Sequence, residues 1–179
     1  LLATQVLWIN LVTDSGPALA MGVDPETEDV MARSPRGRNE RVLDGRMWAG
    51  VLLTGVTMAA STLLAMDMYL PGGMIEGTGD LATARTAGFT TLVCAQLVNC
   101  LCARSETSSA LRHAFANHWL WVAIAVAALL QVAVVHIAAL NTAFGTVPLR
   151  MDQWLVCVAM SSAVLWVSEL RKVVLRSRG

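Results

Sequence analysis

The chain has 179 residues, 55% of them hydrophobic and only 15% charged, with a mean hydropathy of +0.57 and a formal net charge of zero. A soluble globular domain carries about 25% charged residues, and here the apolar residues form long blocks. This composition excludes an ordinary soluble domain. It predicts an all-α fold, a polytopic membrane helix bundle, with no patch of basic residues suited to a nucleic acid.

Five apolar segments are long enough to cross a hydrocarbon core of about 30 Å, which takes about 17 to 25 helical residues. In chain order these spans cover about residues 1–22, 47–70, 86–103, 119–140 and 154–170. Residue 1 already lies inside an apolar segment and is not a methionine. We therefore expect residues 1–179 to be one membrane domain, the C-terminal piece of a larger protein.

The basic residues indicate how the spans are oriented. All Lys and Arg residues except Arg85 and Arg150 lie in the loop at 23–46, in the connection after the third span or in the C-terminal tail. By the positive-inside rule, the loop at 23–46 and the C-terminus are cytoplasmic. Lys172 is the single lysine of an Ala- and Val-rich, Arg-rich chain, which suggests a bacterial source and hence the plasma (inner) membrane.

The first span carries polar residues that a lipid-facing helix would not tolerate. Asn10, Thr13 and Asp14 stand at i, i+3 and i+4, on one face of a helix. Amide, hydroxyl and carboxylate oxygens are ligands for hard cations such as Ca²⁺, Mg²⁺, Mn²⁺ and Na⁺. Pro17 removes a backbone donor, so the helix is expected to loosen at residues 15–17. The alternative is that Asp14 pairs inside the bundle and only holds helices together.

The stretch VLWINLVTDSGPALAMGVDPETEDVMARSPR, residues 6–36, closely resembles the sixth transmembrane segment and the following cytoplasmic loop of P-type ATPases of the calcium-pump type. The shared pattern is WxNLVTD, a Pro-Ala stretch, a glycine, an acidic loop with proline, and Met-x-Arg-x-Pro-Arg. The later spans then correspond to segments seven to ten, where LVCAQLVNCL and SELRK also fit. The resemblance implies the C-terminal part of an ATP-driven cation pump.

The resemblance also assigns metal ligands. Asn10 and Asp14 match positions that bind calcium in the family, and Thr13 matches a ligand of a second calcium site. Gln96 aligns with a position where two-calcium reticulum pumps have a glutamate. A neutral amide there is similar to the plasma-membrane and secretory-pathway pumps, so one ion per cycle is favoured.

Four acidic residues follow the first span: Asp24, Glu26, Glu28 and Asp29. In the family this loop is thought to couple the ion sites to the phosphorylation domain, so the resemblance implies a coupling role. The alternative is a solvated loop with internal salt bridges, because charge runs are usually solvated.

Other polar or sulfur-bearing residues inside the spans have simpler interpretations. Cys100 and Cys102 are interpreted as packing residues rather than as a soft-metal site. His136 is interpreted as an interfacial or hydrogen-bonded residue rather than a proton relay. Glu169 is expected to pair with the neighbouring basic residues, and Asp67 lies near the outer interface.

The resemblance implies alternating access driven by phosphorylation of an aspartate that these residues do not include. ATP and Mg²⁺ would belong to the missing domains, Ca²⁺ is the expected transported ion with Mn²⁺ or another cation as alternatives, and the partners are the lipid membrane and the rest of the pump. Two other hypotheses remain open. One is a fragment of a secondary cation transporter, which would need a related broken segment elsewhere. The other is a structural membrane module without an ion site.

Overall fold

The computed structural model describes residues 1–23, 45–74, 79–103 and 117–177. Within these ranges the regular structure is helical, with no strand, and the predicted all-α class is confirmed. In chain order the elements are α1 (Ala3–Ile9), a π turn (Asn10–Ser15), α2 (Gly16–Gly22), α3 (Gly45–Asp67), α4 (Leu81–Ala103), α5 (His118–His136), α6 (Ala138–Phe144) and α7 (Met151–Ser177).

Four of the described helices, α3, α4, α5 and α7, are long and apolar enough to cross a membrane. They correspond to the second to fifth predicted spans. The first predicted span is continuously helical from Ala3 to Gly22, but the π turn divides it into two short α-helices. The chain is therefore a multi-pass membrane protein whose first apolar segment is interrupted near its middle.

The third span begins earlier than the predicted residue 86, because Asp80 caps the helix. The Asp80 carboxylate accepts a hydrogen bond from the backbone N–H of Ala82 at 3.3 Å, and the Asp80 carbonyl accepts one from Ala84 at 2.9 Å. An aspartate at this position satisfies backbone donors that the first helical turn leaves open. Arg85, expected in a connection, consequently lies within α4.

The fourth predicted span ends at His136 rather than at residue 140. Ile137 adopts an extended conformation (φ −86°, ψ 120°), and the separate helix α6 follows it. α6 ends at Gly145, whose φ of 60° is the left-handed conformation that glycine adopts most readily. The fifth span is longer than predicted, since α7 extends to Ser177.

α4 lies at the centre of the bundle, where it packs against α3 and α7 and also contacts α5 and the π turn. Its inward face is lined by small residues, Ala84, Ala87, Gly88 and Ala95, all of which are buried. A Cβ added at Gly88 would overlap the Met66 side chain of α3, so the two helices are close here and a larger residue would have to displace that side chain. Small residues at helix interfaces allow this packing in membranes, where lipid tails remove most of the hydrophobic driving force.

Two apolar clusters hold the bundle together. The first surrounds the π turn and joins Ile9, Val12, Phe89, Val93, Leu97, Ala127 and Val134. The second joins Tyr69, Ala84, Ala87, Val135, Leu149 and Cys157, where α3, α4, α5 and α7 meet at the opposite end from the C-terminal basic residues. The first cluster packs the interrupted span against α4 and α5.

Candidate functional site

The π turn at Asn10–Ser15 is the main irregularity of the described helices. Its backbone bonds run from residue i to residue i+5, and such turns inside α-helices occur frequently at functional sites. The backbone was expected to loosen at residues 15–17, whereas the irregular turn spans residues 10–15 and overlaps that stretch only at Ser15. Pro17 explains this position, because its ring crowds the carbonyl four residues earlier and it has no N–H to donate, so the wider turn forms on its N-terminal side.

The π turn has one buried edge and one exposed edge. Ile9 and Val12, 4% and 8% exposed, belong to the first apolar cluster. Asn10, Leu11 and Ser15 are exposed, Leu11 by 59%. The described helices therefore hold the turn from one side and leave the side with the Asn10 amide open.

The three predicted oxygen ligands of the first span all fall within this turn. The backbone at these three residues, Asn10, Thr13 and Asp14, is π-helical. The expectation that they share one face was based on α-helical geometry, and a π turn has a different number of residues per turn. The side chains of Thr13 and Asp14 lie outside the part of the molecule that the structure describes. The structure thus places the predicted ligands on one irregular turn and leaves the coordination geometry untested.

The N-terminal half of the span, α1, is tied to the bundle by side-chain hydrogen bonds. The indole Nε1 of Trp8 donates to Oε1 of Gln131 on α5 at 3.2 Å. Gln131 Nε2 in turn donates to Oγ1 of Thr90 on α4 at 3.2 Å. Gln5, which is fully buried, donates from Nε2 to the Phe144 carbonyl at 3.0 Å. These bonds position α1 against α4, α5 and the end of α6.

The C-terminal half of the span, α2, is hydrogen-bonded by a buried asparagine. Asn117 is 3% exposed and donates from Nδ2 to the carbonyl of Ala20 at 2.8 Å. Its Oδ1 accepts from the backbone N–H of Leu120 at 3.1 Å, which makes it the N-cap of α5. One side chain therefore joins the start of α5 to the last turn of α2.

Gln96, the fourth predicted ligand, lies on α4 and is half-buried. It stands three residues after Val93 and seven after Phe89, and both of these pack in the cluster that contains Ile9 and Val12. The structure therefore brings the face of α4 that carries Gln96 toward the π turn.

The proposed coupling residues Asp24, Glu26, Glu28 and Asp29 lie outside the described residues, as does most of the loop at 23–46. Among the residues that the structure describes, no group of three or more His, Cys, Asp or Glu side chains is placed to hold a metal ion.

Two residues, His136 and Glu169, make the contacts that were expected of them. His136 is hydrogen-bonded, accepting from Trp154 Nε1 at its Nε2 over 3.1 Å, and its ring stacks on the indole with centroids 6.2 Å apart. Glu169 pairs with Lys172 at 3.7 Å. Cys102 is buried and Cys100 is half-buried, and neither forms a disulfide.

Sequence reasoning missed two features that the structure makes prominent. Lys172 is 2% exposed, and its Nζ donates to the Cys102 carbonyl at 3.0 Å, a contact between α7 and α4 that was not predicted from the sequence. Gln131 bridges α1 and α4, and it was not singled out. The sequence carried a signal for Gln131, since an amide inside a long apolar span needs a partner.

The fold and this turn together define a class of protein: a polytopic α-helical membrane protein with a discontinuous first span. Residues 1–174 match the family model described as "Cation transporting ATPase, C-terminus", and the chain belongs to that family. The resemblance to the C-terminal transmembrane region of P-type cation-transporting ATPases, based on residues 6–36, is confirmed over most of the chain.

Curated relatives agree with this family. A calcium-transporting ATPase of Bacillus subtilis is 36% identical over 162 residues, 90% of this chain and 18% of the relative. Calcium-transporting ATPase 1 of Schizosaccharomyces pombe is 32% identical over 178 residues, 99% of this chain and 19% of the relative. Calcium-transporting ATPase 1 of Bacillus cereus is 32% identical over 185 residues, 94% of this chain and 20% of the relative. The chain thus spans about a fifth of the length of these relatives.

Proposed function

We propose that the chain is the C-terminal part of the ion-translocating membrane domain of an ATP-driven cation pump, with Ca²⁺ as the transported ion and one ion per cycle. The relatives named above are calcium-transporting ATPases, and the chain covers about a fifth of each. The remainder of the pump would supply the phosphorylated aspartate, the ATP and Mg²⁺ site and the other ion ligands. The loop at 23–46 and the C-terminus face the cytoplasm in this proposal, and the membrane is the bacterial inner membrane.

The observation that carries the proposal is the coincidence of the π turn with the three oxygen-donor residues Asn10, Thr13 and Asp14. Discontinuous helices inside membranes present backbone carbonyls and side-chain oxygens to ions. Asn10 lies on the edge of the turn that the described helices leave open. An exposed amide in a span is unfavourable against lipid, so further protein is expected to cover this edge and complete the site.

The number of ions follows from Gln96. Ca²⁺ takes about six to eight oxygen ligands, and its two charges are balanced best by carboxylates. Asp14 supplies one carboxylate, whereas the amide of Gln96 adds an oxygen without charge. A site of this composition favours one divalent ion over two. The residues at 24–29 would relay movement of the first span to the cytoplasmic domains.

The test is cation-dependent phosphorylation of the full-length pump from ATP in membranes, comparing Ca²⁺, Mn²⁺, Mg²⁺ and Na⁺. We expect Ca²⁺ to trigger phosphoenzyme formation and Asp14→Asn to weaken the apparent Ca²⁺ affinity by at least about tenfold, because a charged ligand is lost. Asp67→Asn is the matched control, since it makes the same chemical change at an exposed residue at the end of α3.

Unchanged cation dependence in Asp14→Asn would show that this residue is structural. Absence of a phosphoenzyme with every cation in the wild type would instead exclude the pump itself and favour a secondary transporter.

A further inference from the structure

A groove of about 450 Å³ opens between α3, α4 and α7, away from the π turn. This volume lies within the range of about 300 to 1,000 Å³ that is usual for ligand clefts. The groove is found at the end of the bundle where α3 begins and α4 ends. Its walls combine basic, polar and apolar side chains, and none of them belongs to the candidate ion site.

The end of the groove nearest the helix termini is cationic. Lys172 has three N–H donors, of which one goes to the Cys102 carbonyl at 3.0 Å and a second faces Glu169 at 3.7 Å. The guanidinium of Arg171 lies against Gly50 of α3. A Cβ added at Gly50 would be 2.5 Å from Arg171 Cζ. Glu169 offsets part of this charge, so the described side chains at this end carry more positive than negative charge.

The other end of the groove is apolar and runs toward the middle of the bilayer. Along α3 the lining continues from Gly50 to Gly55 and Met58. Eight residues of helix from Gly50 to Met58 correspond to about 12 Å. A Cβ added at Gly55 would meet nothing within 4 Å, so the floor of the groove is open at this point. The groove is therefore amphipathic along the membrane normal.

We propose that this groove binds an anionic phospholipid, with the phosphate at Arg171 and Lys172 and an acyl chain along Gly55 and Met58. Basic pockets between transmembrane helices bind anionic lipid headgroups. A free phosphate ion would use only the cationic end, whereas the apolar continuation fits a lipid chain. This site rests on the membrane bundle and does not depend on the proposed pumping function.

The experiment is native mass spectrometry of the full-length protein in detergent, titrated with phosphatidylglycerol or phosphatidylcholine. We expect tighter retention of phosphatidylglycerol. Arg171→Gln should weaken its apparent affinity about fivefold, the size of effect that one basic residue has near an anionic membrane surface. Gly55→Leu should weaken both lipids by filling the apolar end.

The matched controls are Arg176→Gln, an exposed arginine on the same helix, and Ala60→Leu, which adds the same bulk at an exposed position of α3 outside the groove. Neither should change lipid retention. Equal retention of the two lipids by the wild type, or retention that neither Arg171→Gln nor Gly55→Leu alters, would overturn the proposal. Complete displacement of phosphatidylglycerol by millimolar inorganic phosphate would also overturn it, because the site would then recognise a free anion.

Discussion

Trp8 and Gln131 are joined by a hydrogen bond of 3.2 Å from the indole Nε1 to the amide Oε1, and this bond links the first span to α5. Trp8 stands two residues before Asn10, where the π turn begins. Gln131 in turn donates a hydrogen bond to Thr90 of α4. The N-terminal flank of the candidate ion site is thus positioned by a glutamine on another helix.

Replacing Gln131 by Leu should lower the free energy of unfolding by about 0.5 to 2 kcal/mol, because the Trp8 indole and the Thr90 hydroxyl both lose a partner in a membrane interior. A double-mutant cycle with Trp8→Phe isolates the bond itself. We expect the two changes to be less than additive in thermal unfolding of the full-length protein in detergent. Strict additivity of the two changes would mean that the hydrogen bond contributes nothing to stability. The control is Leu129→Ala, at a position 70% exposed on the same helix.

Asn117 has two separable roles, as N-cap of α5 and as donor to Ala20 of α2. Asn117→Ser should keep the cap and lose the link to α2, whereas Asn117→Ala should lose both. We expect the alanine variant to be less stable than the serine variant by about 1 kcal/mol, the usual value of an N-cap. Thermal unfolding of both variants measures the difference. If the serine variant matches the wild type, the bond to Ala20 is dispensable.

Lys172 is expected to be important for stability because two groups depend on it. Lys172→Met should cost about 1 to 3 kcal/mol, since the Cys102 carbonyl and the Glu169 carboxylate both lose a donor. Adding Glu169→Gln should recover part of the loss by removing a charge that no longer faces the Lys172 ammonium. Chemical or thermal unfolding of the single and double variants tests this. A double variant less stable than Lys172→Met would contradict the pairing.

Gln96 offers a test of ion stoichiometry. If its face of α4 borders the ion site, Gln96→Glu should raise the Ca²⁺ bound per phosphoenzyme from one ion toward two, because a carboxylate helps to neutralise a second divalent ion. The measurement is bound ⁴⁵Ca²⁺ against phosphoenzyme in membranes containing the full-length pump. Asn99→Asp is the control, since Asn99 lines the groove between α3, α4 and α7. An unchanged ratio in Gln96→Glu would remove Gln96 from the ion site.

The irregular first span shows how far local sequence information extends. Pro17 and the polar residues at 10, 13 and 14 indicated a broken helix, because a missing N–H and intramembrane polar groups are local properties. The exact register of the break did not follow from them. The packing of Ile9 and Val12 against α4 and α5 accompanies a π turn that begins at Asn10 and overlaps the stretch where loosening was expected only at Ser15.

The sequence by itself determined the all-α class, the multi-pass character and four of the long spans, because a backbone in lipid must satisfy its hydrogen bonds within a helix and the bilayer thickness sets the length of that helix. Only the tertiary structure decided which polar side chains meet. Gln131 reaches Trp8 across 123 positions of sequence, and Lys172 reaches the Cys102 carbonyl across 70. Such contacts depend on how helices pack against one another, and apolar blocks of similar composition do not encode that arrangement locally.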